Sequence, residues 1–396
     1  MPARASVIGD RADMELHFGA EAERFRQEVR SWLMQNVPTG QPSTPAERRS
    51  QSLAWQRAQF EAGWAGVAWP REVGGRGLSL LEQLIWFEEY ARAGAPSLIR
   101  DPLFVGISHA GPTLILKGSA EQKAFHLPKI LRGEVIWSQG FSEPQAGSDL
   151  ASLRCRGVVA GDELMVSGQK IWTSSGNLSD YQELLVRTDP SAPKHKGITW
   201  VICDMKTPGI TIRPIKTMDG NAEFCEVFYD QVRIPLSNVV GGLNAGWGVA
   251  MATLSFERGS ASIADATELV TRADALIQLC MRSRRADLLR RAALLKAQSM
   301  SVRAMIYRLV SANMKSERSG PESSMIRLRY SKLLQGVHRL AMEALGNGVL
   351  SRQGVETAWV RDYLYSYSQT IGGGTEQIQR NIIGERILGL PRSAGA

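Results

Sequence analysis

Apolar residues recur at helical spacing from about residue 15 to 134, shorten into β-rich runs from about 135 to 240, and regain long helical periodicity between Gly246 and Ile387. Two helix starts are written as capping boxes, Ser79-Leu80-Leu81-Glu82 and Ser119-Ala120-Glu121-Gln122. The middle region reads as strands over 155–159, 164–172, 197–205, 210–215 and 225–234, with a turn at Gly161-Asp162. Gly320-Pro321, Gly346-Asn347-Gly348 and Gly372-Gly373-Gly374 interrupt the last helical region, and no internal repeat is present. Helix, then strand, then helix is a segregated α+β order, which disfavours a doubly wound nucleotide fold. The expected division is a flexible terminus over 1–14, an N-terminal α-helical domain over 15–134, a middle β domain over 135–243 and a C-terminal α-helical domain over 244–396.

With 396 residues, 43% of them hydrophobic, the chain can build two or three domains with substantial cores. No apolar run approaches the ~18 residues of a membrane span. The N-terminus lacks a secretory pattern, so a cytoplasmic protein, in a bacterial cytosol, is expected, with Cys155, Cys203, Cys225 and Cys280 reduced. No Cys pair has C-x-x-C spacing and the five histidines are scattered, which argues against a metal site. The balance of 47 basic to 39 acidic residues gives a net charge of +8. Its densest cluster, Arg282, Arg284, Arg285, Arg290 and Arg291, is broken by Leu288 and Leu289 as a solvated helix face would be. A phosphate-rich small ligand fits that distribution better than nucleic acid.

Three separated motifs carry chemistry. The first, Phe141-Ser142-Glu143-Pro144-Gln145-Ala146-Gly147-Ser148-Asp149, packs hydroxyls and small residues into a loop that can approach a flat or phosphorylated ligand, or can be a structural turn. The second is Trp172-Thr173-Ser174-Ser175-Gly176 after a strand pattern; the third is Gly372-Gly373-Gly374-Thr375-Glu376-Gln377-Ile378-Gln379-Arg380. A further position stands out by its surroundings. Ala250, Leu254, Glu257, Ala261 and Ala264 share one helix face, on which Glu257 is the only ionisable group. A carboxylate there is either a buried ion-pair member or a desolvated proton acceptor.

Taken in order, and with Trp69-Pro70 and Gly74-Gly75-Arg76-Gly77 beside them, the motifs resemble the acyl-CoA dehydrogenase family over nearly the whole chain. The resemblance implies a helical N-terminal domain, a β-barrel-like middle domain and a C-terminal four-helix bundle, with FAD between the β domain and helices. It implies α,β-dehydrogenation of an acyl-CoA thioester to a trans-2-enoyl-CoA, with an electron-transfer flavoprotein taking the electrons. Most members carry a catalytic glutamate where this chain has Gly373; a smaller branch, similar to the isovaleryl and long-chain enzymes, places it in a Glu-Arg pair that Glu257-Arg258 matches. By the same resemblance Glu257 is the base and the Gly373 amide supports the thioester oxygen. Phe141, Ser142, Ser148, Trp172, Thr173, Ser174, Thr375 and Gln377 contact FAD, while Ser148, Arg258 and Gly374 face the substrate.

Two departures stand out. The family's Arg-x-x-Phe-Gly, which reaches FAD of a neighbouring subunit, is replaced by residues 281–287, and a usual glutamine is Glu343. Either the FAD site is remodelled or another subunit supplies these groups, which implies a homotetramer or a heterotetramer with a paralogous chain. A related oxidase or hydroxylase, or a noncatalytic subunit, is the alternative expectation. The three glycines also leave room for a branched or cyclic acyl group, as in steroid catabolism.

Overall fold

The computed structural model describes residues 19–40, 42–256, 261–313, 321–350 and 354–391. Five helices come first: α1 (Gly19–Asn36), α2 (Pro45–Glu61), α3 (Leu80–Arg92), α4 (Gly111–Lys117) and α5 (Ala120–Leu131). Local chemistry fixes where three of them start. The hydroxyls of Thr44, Ser79 and Ser119 accept from the third backbone N–H of α2, α3 and α5, while Glu47, Glu82 and Gln122 reach back to the cap.

Eight strands follow: β1 (Trp137–Gly140), β2 (Arg156–Ala160), β3 (Glu163–Ser174), β4 (Tyr181–Arg187), β5 (Ile198–Asp204), β6 (Ile210–Ile215), β7 (Phe224–Pro235) and β8 (Val239–Val240). They form one sheet in the order β6-β7-β3-β2-β4-β5-β8, with β1 lying parallel to β4. Strands β1 and β4 escape the hydrophobic pattern for a physical reason. β4 buries Gln182 and Glu183 beside Leu184, Leu185 and Val186, so polar residues sit where alternation predicts apolar ones. Both are partnered, Gln182 by the Tyr229 hydroxyl and Glu183 by the Gln139 side-chain amide at 2.8 Å.

The C-terminal part is α6 (Gly246–Phe256), α7 (Ala261–Arg282), α8 (Ala286–Asn313), α9 (Ser323–Leu345), α10 (Gly354–Ser366) and the short α11 (Glu376–Ile382). Helices α7, α8, α9 and α10 pack together. Their core is not their own: Val29, Leu33, Trp55, Trp64, Trp86 and Tyr90 of the N-terminal helices belong to the same buried cluster as Leu269, Leu276, Val302, Leu333 and Val337. The seam is also electrostatic. Glu88 and Glu89 of α3 are buried and meet Arg26 of α1 at 2.9 and 2.7 Å, while Arg303 of α8 reaches Glu88 at 2.7 Å. Burial works against the Glu89 charge, but hydrogen bonds from Arg30, Arg26 and Arg92 hold its pKa down at about 2. The sheet is thus inserted into a single helical body made from the two ends of the chain.

Candidate active site

The first motif and the end of β3 are held side by side by a buried ion pair. Lys170 donates to Glu143 Oε1 at 2.8 Å and to the Phe141 carbonyl at 3.0 Å. Glu143 also accepts from the Arg154 and Cys155 amides at 2.7 and 2.8 Å and from the Gln145 side chain at 2.7 Å. The Ile171 amide then donates to the Ser142 carbonyl at 3.0 Å, joining the two segments directly. With Lys170 and Glu143 almost wholly out of solvent, this cluster sets the position of Ser142 relative to Trp172.

Strand β3 shifts register against β7 between Lys170 and Thr173, and Trp172 in that interval has φ +61°. A bulge of this kind re-aims a side chain. The indole of Trp172 is 56% exposed and packs edge-on against Phe224, whereas the neighbouring Thr173 is fully buried with no partner for its Oγ1 among the described residues. Ser142 and Ser174 are half-buried; Phe141 is buried and Ser148 is exposed. Asp149, next to Ser148, is tied to Lys194 at 3.1 Å.

Beyond this strand end, polar contacts run through all three parts of the molecule. The Ser175 amide donates to the Glu223 carbonyl at 2.8 Å, and the Glu223 carboxylate lies 3.8 Å from Arg48, which itself donates to the Arg100 carbonyl. Burial raises the Glu223 pKa against the pull of Arg48 and Arg100. Arg100 lies over the Tyr365 ring and pairs at 2.9 Å with buried Asp362, which Arg272 meets at 2.9 Å. Although burial opposes its charge, the two arginines hold Asp362 below the usual carboxylate range.

The glycine motif joins the same region. Arg327 of α9 donates to the Gly372 carbonyl at 2.8 Å and to Gln369 Oε1 at 3.1 Å, and it lies 3.8 Å from Asp265 of α7. Gln379 reaches back to the Gly373 and Gly374 carbonyls at 3.0 and 3.4 Å. Thr375 caps α11 by accepting from the Ile378 amide at 3.3 Å, and Gln377 stands in the first turn of that helix. Glu257 and Arg258 lie outside the described residues.

Gly373 and Gly374 have φ of +67° and +96°, and a Cβ on Gly374 would come within 2.8 Å of Gln379 Nε2. Gly372 has neither constraint, its nearest neighbour being the Ser368 carbonyl at 3.5 Å. Gly373→Ala is therefore expected to cost about 1 kcal/mol from the left-handed backbone alone. Gly372→Ala should cost clearly less, and paired thermal melts check the order. The same backbone explains why a side chain at 373 is unwelcome in this chain.

Reading the sequence missed Glu143 and Lys170 as the support of the motif, and Arg100, Arg272, Arg327 and Asp362 as a charged cluster. Glu143 could have been found, since its place among small residues and turns makes a buried carboxylate conspicuous. The two departures also have a structural counterpart. Glu343 is paired with Arg291 through contacts of 2.5 and 2.8 Å, and Arg285 pairs with Asp287 at 2.8 Å, so both acidic groups are answered within the chain. Among the described residues no group of three or more His, Cys, Asp and Glu could hold a metal ion, and no helix is long and apolar enough to cross a membrane.

Comparison with known proteins matches this architecture part by part. Family models for the N-terminal, middle and C-terminal domains of acyl-CoA dehydrogenase match residues 19–134, 138–232 and 244–388. The chain therefore belongs to the acyl-CoA dehydrogenase family, whose members are oxidoreductases. It is 37% identical to acyl-CoA dehydrogenase IpdE1 of Mycobacterium tuberculosis over 94% of this chain and 99% of that protein. Among solved structures it is similar to the Tcur3481-Tcur3483 steroid ACAD, with TM-score 0.83, 30% identity and 96% and 100% of the two chains covered. The ChsE4-ChsE5 complex from Mycobacterium tuberculosis matches with TM-score 0.81 and 32% identity, covering 96% of this chain and 100% of that one.

Proposed function

We propose that this chain catalyses FAD-dependent α,β-dehydrogenation of an acyl-CoA thioester, giving the trans-2-enoyl-CoA. The observation that carries the reading is the juxtaposition of the 141–149 loop with the bulged end of β3, locked by Lys170 and Glu143. The residues present fit a flat, hydrogen-bonding cofactor. An exposed Trp172 offers an aromatic face, Ser142 and Ser174 offer hydroxyls beside it, and the buried Thr173 Oγ1 has no partner among the described residues. FAD, when bound, supplies the acceptor for the hydride that leaves the β-carbon.

The protein's own tasks are to orient the thioester and to move one proton. In this reading Glu257 removes the α-proton, and the backbone N–H of Gly373 donates to the thioester oxygen, where negative charge develops. The C–H electron pair freed at the α-carbon becomes the new double bond as the β-hydrogen departs with its own pair. Ser148, exposed at the loop tip, and Thr375, at the cap of α11, are assigned to phosphate-bearing parts of the ligands, with Phe141 and Gln377 beside the cofactor and Arg258 and Gly374 facing the substrate.

The reading extends to assembly. Two of the similar solved structures are named as pairs of unlike subunits, ChsE4-ChsE5 and Tcur3481-Tcur3483, and the family's Arg-x-x-Phe-Gly is replaced here. The working particle is accordingly a tetramer, with a paralogous partner completing the FAD site and an electron-transfer flavoprotein reoxidising it. Anaerobic titration of the purified holoenzyme with a panel of acyl-CoA thioesters should bleach the flavin absorbance. A protein that stays colourless after addition of FAD and a co-expressed paralogue would refute the proposal.

A further inference from the structure

We propose that Arg327 aims the amide that receives the thioester oxygen: by holding the Gly372 carbonyl, it fixes the direction of the Gly373 N–H. This rests on the acyl-CoA reading above. Gly372, Gly373 and Gly374 carry no side chains to bias their own dihedrals, so each peptide plane in the run can turn over with little steric penalty. Packing does not hold the first of them, since a Cβ on Gly372 would meet nothing closer than the Ser368 carbonyl at 3.5 Å. Both flanks of the run are nevertheless fixed. The Gly372 N–H donates to the Ser368 carbonyl at 2.9 Å on one side, and Thr375 caps α11 on the other. Side chains set the planes between them.

In a planar trans peptide the C=O of one residue and the N–H of the next point in opposite directions. The Gly372–Gly373 peptide is trans, and its carbonyl accepts from Arg327 Nη2 at 2.8 Å. Its N–H therefore points away from the guanidinium. That group is itself held: Nη1 donates to Gln369 Oε1 at 3.1 Å and lies 3.8 Å from Asp265, and the stem leaves α9 next to buried Ile326. Gln379 acts in the same way one peptide further on, donating to the Gly373 and Gly374 carbonyls at 3.0 and 3.4 Å. All three carbonyls are thus engaged, while the N–H groups of Gly373 and Gly374 have no acceptor among the described residues. Gly373 is exposed, so its donor is open to a ligand.

A charged partner does more than orient. A guanidinium on the carbonyl draws electron density from the amide and makes its N–H a stronger donor, at the point where α-proton removal puts negative charge on the thioester oxygen. Arg327 acts through the peptide and is a positioning residue.

The test uses the holoenzyme purified with any partner subunit and two ligands, (E)-3-cyclohexylprop-2-enoyl-CoA and the thioether in which a methylene replaces its thioester carbonyl. Calorimetric Kd values for wild type should favour the thioester by about fivefold or more, the worth of a good hydrogen bond to its oxygen. Arg327→Met should bring that ratio within about twofold of unity and slow flavin bleaching by 3-cyclohexylpropanoyl-CoA about tenfold or more, with FAD content unchanged. Arg327→Lys, which keeps a charged donor, should retain part of both. A role confined to stability predicts instead a lower melting temperature with the wild-type ratio. Equal Kd values in wild type, no binding of either ligand, or an undiminished ratio in Arg327→Met overturn the inference. If the methionine variant does not fold, Arg327→Gln, whose shorter uncharged side chain ends before the carbonyl, replaces it with the same expected loss. A ratio that collapses in the variant, with no bleaching of wild type by the saturated thioester, would sink the dehydrogenation reading alone and leave the aimed amide standing.

Discussion

Glu257→Gln should slow flavin reduction by a good acyl-CoA by about two to four orders of magnitude, the usual contribution of a positioned base. The substitution keeps the size of the side chain and most of its hydrogen bonding but removes the proton acceptor, so FAD content should be unchanged. The competing role for this carboxylate, an ion pair buried on an apolar face, predicts something else. Breaking such a pair would lower thermal stability by about 3–5 kcal/mol and leave the chemical step nearly intact. Anaerobic stopped-flow reduction and a thermal melt on the same preparation separate the two. A variant that reduces its flavin at the wild-type rate would leave the chain without an identified base, since position 373 is glycine.

The second large effect is expected at Lys170. Lys170→Met keeps the length of the stem but strands the Glu143 carboxylate, which is buried and meets the ammonium at 2.8 Å. Removing one partner of a buried pair costs about 3–5 kcal/mol, because the remaining charge has lost its compensation. The loss should not be confined to stability. Lys170 also holds the Phe141 carbonyl at 3.0 Å, so the loop carrying Ser142 should lose its register against Trp172 and flavin retention should fall with the melting temperature. A Lys170→Met protein that melts within about 1 kcal/mol of wild type and keeps its flavin would show that the loop is held by other means.

Much of this molecule can be read from residue order, and the parts that cannot share a cause. Periodicity separates helical from β regions because each amphipathic element advertises its buried face, and the capping boxes at Ser79 and Ser119 mark helix starts by local chemistry alone. Strand β4 was hidden because Gln182 and Glu183 are buried through partners on other strands, a fact that no local pattern records. The site divides in the same way. Ser142, Trp172 and the glycine run announce themselves as unusual local sequence. By contrast, Arg100, Arg272 and Asp362 come from segments far apart in the chain and look like ordinary surface charges until the fold brings them together. The positive φ of Trp172 was equally unreadable, because it follows from how β3 must slip against β7.

The core that joins both ends of the chain also sets a constraint on biosynthesis. Trp86 and Tyr90 need Ile263, Leu269 and later residues as packing partners, and these are made about 170 positions downstream. At ribosomal speeds of about 5–20 residues per second, the first helices wait roughly 9 to 35 seconds before that side of their core is covered. The intervening sheet carries its own apolar cluster and can form during that interval. The opening helices therefore complete that part of their core only when the last third of the polypeptide emerges to cover it.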